Sequence, residues 1–284
     1  MAIRERAEQR WASVRDTRPG RLLDRIGTDL ARLEVFDRAM TLAAQAFTSI
    51  VPLMLVAATL RPQQPGFGSV VADSLGLSDA TRATLAGAVP EGATATGSIG
   101  FFGIVVAIFG ATSFSRALER VYLRTWGVHK ASVRTAWRWF ATVLAVVVAV
   151  LVVAFTKSVL DGPVWRGVIS TVVQVLVWTA VWTLVPWILL QHQVAARVLA
   201  FTAALTAVAT VLLGLVGGVY LPIVMASGAK QFGVLGLVFS YIGWLFAIAL
   251  VLVAATVAGR ACAEDDGPLG RFVRGRPPTF TPVD

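Results

Sequence analysis

Gly233 to Gly259 reads GVLGLVFSYIGWLFAIALVLVAATVAG, 27 residues without one Asp, Glu, Lys, Arg or His. As an α-helix it would be roughly 40 Å long, more than the ~30 Å of hydrocarbon in a bilayer. Lys230 and Gln231 stand before it and Arg260 closes it. This stretch predicts a membrane span, with the other apolar runs packing around it.

Composition agrees. Hydrophobic residues make up 56% of the 284 and charged residues only 14%, against about 25% charged in soluble domains. The net charge of +9 lies mostly in flanks and loops, where membrane topology and anionic headgroups account for it without nucleic acid. Cys262 is the single cysteine, so an intramolecular disulfide and a cysteine-based metal site are both excluded. The first 38 residues are charged throughout and do not read as a secretory signal.

The expected fold is all-α: a polytopic helical membrane protein with six transmembrane helices and an amphipathic N-terminal helix. The spans are placed at 39–60, 98–115, 139–156, 168–190, 198–220 and 233–259, within a membrane domain of residues 39–259. Residues 1–38 form a cytoplasmic flank broken at Arg18-Pro19-Gly20. After the break, Leu22, Ile26, Leu30 and Leu33 make one apolar stripe, suited either to the headgroup interface or to the underside of the bundle. Residues 61–97 form an external segment with a short helix capped by Ser78 or Asp79. Leu221-Pro222 ends or bends the fifth span, Ser227 to Phe232 form an outer turn, and 260–284 is a disordered cytoplasmic tail. Counted this way, 20 of the 25 Lys and Arg residues fall on the side of the two termini, which places both in the cytoplasm.

Two features could carry function. The first span is the most polar, and Gln45, Thr48, Ser49 and Pro52 lie within two turns of it. Pro52 should kink the helix and free a backbone carbonyl. Gln45, Ser49 and Pro52 share one face, which either lines a polar path or glues the helix to a neighbour. Past the second span, Arg116, Arg120 and Arg124 recur every fourth residue, with Lys130, Arg134 and Arg138 following. That ridge is either a topological anchor or a site that recruits an anionic headgroup.

Signatures of chemistry are missing. The chain has no phosphate-binding loop ending in Lys-Ser/Thr and no His-Glu-x-x-His, and the Glu264-Asp265-Asp266 run reads as a solvated patch rather than a metal site. No buried carboxylate is expected in the spans, so ion-coupled transport and catalysis are both disfavoured. No cofactor, metal or catalytic residue is expected.

Three patches together resemble the YihY/BrkB family of bacterial envelope membrane proteins. They are AAQAFTSIVPLML (Ala43 to Leu55), GATSFSRALERVYLRTW (Gly110 to Trp126) and the final span from Gln231. Where the family's last span usually ends in Gly-Ala-Glu-Leu, this chain has Ala254-Ala255-Thr256-Val257. The resemblance implies six spans in the bacterial inner membrane, both ends inside, and a role in envelope integrity. It also suggests movement of an anionic or polyprenyl lipid. Members have carried a ribonuclease label, which no residue here supports. The expected activity is therefore lipid handling, with membrane lipids as ligands and a homo-oligomer or envelope-assembly partner compatible with it. Arg116, Arg120 and Arg124 would meet the headgroup; Gln45, Thr48, Ser49 and Pro52 would line its path. The competing expectation is a non-transporting membrane scaffold that binds partner proteins.

Overall fold

The computed structural model describes residues 17–60, 97–128, 137–159 and 164–275. Among the described residues there are eight helices and no strand. They are α1 (Arg18–Arg32), α2 (Val35–Leu60), α3 (Gly97–Trp126), α4 (Trp137–Val159), α5 (Val164–Leu189), α6 (Ala196–Phe232), α7 (Val234–Glu264) and α8 (Pro268–Arg274). The expected external helix after Ser78 and the first 16 residues lie outside the described part.

Helix ends follow local chemistry. The Thr17 hydroxyl accepts from the Gly20 amide at 3.2 Å, and Pro19 sits in the first turn of α1, where no hydrogen bond is lost. Glu34, at a φ of 51°, turns the chain into α2. Helix α3 runs for 30 residues and stops at Gly127, whose φ is 63°, with the Val128 amide donating to the Leu123 carbonyl. Gln191 and His192, both left-handed, make the tight α5–α6 turn, and the His192 ring lies against Trp187.

Each of the six long helices packs against the next, and α7 returns to α2, closing a ring. Fully buried side chains come from the starts of α2 and α6 and the far parts of α3, α5 and α7: Leu42, Leu199, Leu118, Leu189 and Val253 among them. The core therefore lies toward one end of the ring, the end that carries α1, α8 and the arginine ridge. At the other end a small separate cluster, Leu221, Met225 and Leu237 under Trp244, joins only α6 and α7. Phe155 and Phe239 there are each 70% exposed, among many outward-facing Val and Leu. Such a surface is an aggregation hazard in water and an ordinary one in lipid. Among the described residues three helices, Trp165–Leu189, Ala196–Phe232 and Val234–Glu264, are long and apolar enough to cross a membrane.

Two expectations are corrected. Helix α6 does not end at Leu221-Pro222 but runs through Pro222 to Phe232, and Gly233 alone links it to α7. Small residues allow that hairpin: a Cβ on Gly236 would lie 2.0 Å from the Gly228 carbonyl oxygen, and Gly217 and Gly259 sit beneath Trp244 and Thr202. Nor is the chain irregular from Arg260 onward. Helix α7 continues to Glu264, and α8 docks beneath it with Val273 buried, while residues 276–284 lie outside the described part. The α1 stripe settles on the underside of the bundle: Leu30 and Leu33 pack against the core, and Arg25 pairs with Glu264.

This packing covers Cys262, which is 9% exposed. Burial, and then the Asp265 charge, push its thiol pKa above the ordinary value, so at neutral pH it stays protonated. Maleimide labelling of the folded protein should be at least about tenfold slower than of the detergent-unfolded chain. Equal rates would contradict the docking of α8.

Candidate functional site: the basic ridge and the α2–α3 seam

The buried face of α3 is Ser115, Leu118, Glu119, Tyr122, Thr125 and Trp126, a three-four spacing that keeps one side of the helix in the core. The opposite side presents Arg116, Arg120 and Arg124, all exposed. Successive members are about 6 Å apart along the axis, so three guanidinium groups form a line on one surface. Arg120 and Arg124 make no hydrogen bond or ion pair among the described residues. Arg38, at the start of α2, extends the same field. Burial and then the Arg124 charge lower its pKa from the ordinary arginine value, with Glu34 and Asp37 opposing.

Three other arginines at this end are occupied. Arg260 bonds the Thr125 carbonyl and, at 2.7 Å, Glu264; Arg197 donates to the Phe272 carbonyl at 2.8 Å; Arg38 donates to that of Leu33 at 2.6 Å. These three satisfy carbonyls at or near helix ends, which otherwise lack donors. Arg120 and Arg124, by contrast with these three, are unspent among the described residues.

Arg116 is partly held. Its Nε lies 3.4 Å from the Thr112 carbonyl oxygen, and its guanidinium lies 5.3 Å from the centre of the Trp139 ring. The Trp139 indole donates to Glu119 at 3.1 Å. Sequence reasoning missed both residues. Glu119 stands between Arg116 and Arg120 in sequence, yet it is 8% exposed. The signal was available in the spacing that puts it on the Leu118 and Tyr122 face.

The polar residues of α2 are brought against α3. The Ser113 hydroxyl bonds the Gln45 side-chain carbonyl, and a Cβ on Gly110 would sit 2.8 Å from the Ser49 Cα. Ser49 donates to the Gln45 backbone carbonyl at 2.6 Å and Thr48 to that of Ala44 at 2.6 Å. Gln45 and Ser49 therefore join two helices here, whereas Thr48 faces outward. Helix α2 runs through Pro52, whose side chain lies outside the described part. Gln45 and Arg116 belong to the same two-helix unit, at successive levels of α3.

An all-helical ring sheathed in apolar side chains, with a line of arginines at its packed end, defines a membrane protein. Its sequence matches the family model described as Virulence factor BrkB over residues 27–269. The chain belongs to that family and is a membrane protein of the cell envelope. No curated protein and no solved structure matches it.

Proposed function

We propose that the protein crosses the bacterial inner membrane six times, with both termini in the cytoplasm, and moves or positions an anionic or polyprenyl lipid. The observation that carries this reading is the exposed line Arg116, Arg120 and Arg124, two of whose charges have no partner among the described residues. Guanidinium groups bind phosphate oxygens by charge-assisted, often paired, hydrogen bonds. At the inner headgroup level they would hold such a lipid by its phosphate. The six long helices and the concentration of basic residues toward the two ends support the topology. No catalytic step, cofactor or metal enters the proposal. Movement would be passive or depend on a partner, and a homo-oligomer is compatible with it.

A second reading, a scaffold that moves nothing, is favoured by the Gln45–Ser113 bond and the close Gly110–Ser49 contact, which spend the polar groups of α2 on helix packing. Lipid flux in reconstituted vesicles separates the two. Arg120→Glu should cut flux of an anionic lipid at least about tenfold by reversing a charge at the headgroup site. Gln45→Leu, which leaves Ser113 without its partner, should lower stability by about 0.6 kcal/mol. If Gln45→Leu also abolishes flux while the fold survives, Gln45 lines the path. If neither substitution alters flux, the transport assignment falls and the scaffold stands.

A further inference from the structure

We propose that Glu119 and Trp139 are positioning residues that fix Arg116 for an oxyanion with two acceptor oxygens, such as a phosphate diester headgroup. The proposal deepens the headgroup reading above and rests on it. Three contacts converge on Trp139. Its indole N–H donates to Glu119 at 3.1 Å, its backbone carbonyl accepts from the Ser115 hydroxyl at 3.2 Å, and its ring supports the Arg116 guanidinium at 5.3 Å.

A mostly buried carboxylate is costly to keep when a neutral group could fill the place. Glu119 has no cation within ion-pair distance among the described residues, so its charge is not there to neutralise an arginine directly. It instead accepts a hydrogen bond from the indole N–H, which locks the ring plane and draws electron density onto the ring face. An electron-richer face holds a guanidinium more firmly. Arg116 spends only Nε, on the Thr112 carbonyl. Its two terminal nitrogens make no bond among the described residues, and together they match two oxygens of one phosphate. The seam between α3 and α4 thus presents one oriented arginine beside two that have no partner among the described residues.

The test is the preference of the purified protein for phosphatidylglycerol over phosphatidylcholine in mixed nanodiscs, read as the ratio of retained lipids. Glu119→Ala should lower that preference about two- to fivefold, the size of a lost cation–π contact. Glu119→Gln, which retains an acceptor oxygen for the indole, should restore most of it. Trp139→Phe, which keeps a ring without the N–H, should match Glu119→Ala, and it serves if Glu119→Ala does not fold. The deciding comparison is made in an Arg116→Ala background, where Glu119→Ala should have no further effect. A loss of equal size there would overturn the positioning role and leave Glu119 a packing residue. If Arg116→Ala alone changes nothing, the headgroup reading fails at this residue, and the inference with it.

Discussion

Gly236→Ala is expected to cost about 3 kcal/mol or more and to prevent recovery of a monodisperse protein in detergent. Its new Cβ would meet the Gly228 carbonyl oxygen at 2.0 Å and the carbonyl carbon at 2.3 Å. Those are backbone atoms, so no side-chain rotation relieves the overlap. Sliding the helices apart is blocked as well, because Gly233 alone connects them. Below this point Gly217 lies under Trp244 and Gly259 under Thr202, so a shift at Gly236 would propagate along the hairpin. Gly243→Ala is the control. Nothing lies within 4 Å of its added Cβ, and it should be neutral or stabilising by up to about 1 kcal/mol. Thermal unfolding followed by size exclusion reads both. Gly236→Ala melting with the parent would mean that the two helices do not approach this closely.

Replacing Arg116, Arg120 and Arg124 together by glutamine should have the largest effect on lipid selectivity. Each basic side chain near an anionic surface contributes about 1 kcal/mol, so removing three should reduce the preference for anionic lipid by roughly a hundredfold. The fold should survive, because the three side chains are exposed and the face of α3 behind them is left intact. Added salt should weaken the parent's preference and barely alter the variant's, since exposed charges are screened within about 10 Å at moderate ionic strength. An unchanged preference in the variant would reduce the ridge to a topological anchor. Arg260→Gln, by contrast, would remove the bond to Thr125 and is a stability variant rather than a binding one.

Much of this was legible in the sequence because a bilayer imposes few solutions. All of the uncharged run after its first residue, Gly233, lies within one helix, as its length required. The arginines that recur every fourth residue past the second span do so on one helix, which runs to Trp126. Where the reading failed, a local rule was outweighed by packing. Pro222 suggested an end or a bend in α6 and the end is the alternative that fails, because losing one amide bond is tolerable in an apolar helix braced by α7. The polar residues after Arg260 suggested disorder, yet Arg260 and Arg274 bond to main-chain carbonyls and Val273 is buried, so the segment is held. At the candidate site, spacing sufficed to place three arginines on one surface. It did not show that Gln45 would be taken by Ser113, 68 residues away, or that Glu119 would find an indole on another helix as its partner. Both facts depend on which helices become neighbours, and a single sequence read by periodicity does not specify that.

Native mass spectrometry of the gently purified protein, with identification of the lipids it keeps, tests the headgroup reading most directly. The account predicts a specific anionic phospholipid or polyprenyl phosphate retained by the parent and lost when Arg116 and Arg120 are neutralised. Retention of bulk lipid alone, unchanged by those substitutions and accompanied by a co-purifying protein, would contradict it and favour the scaffold.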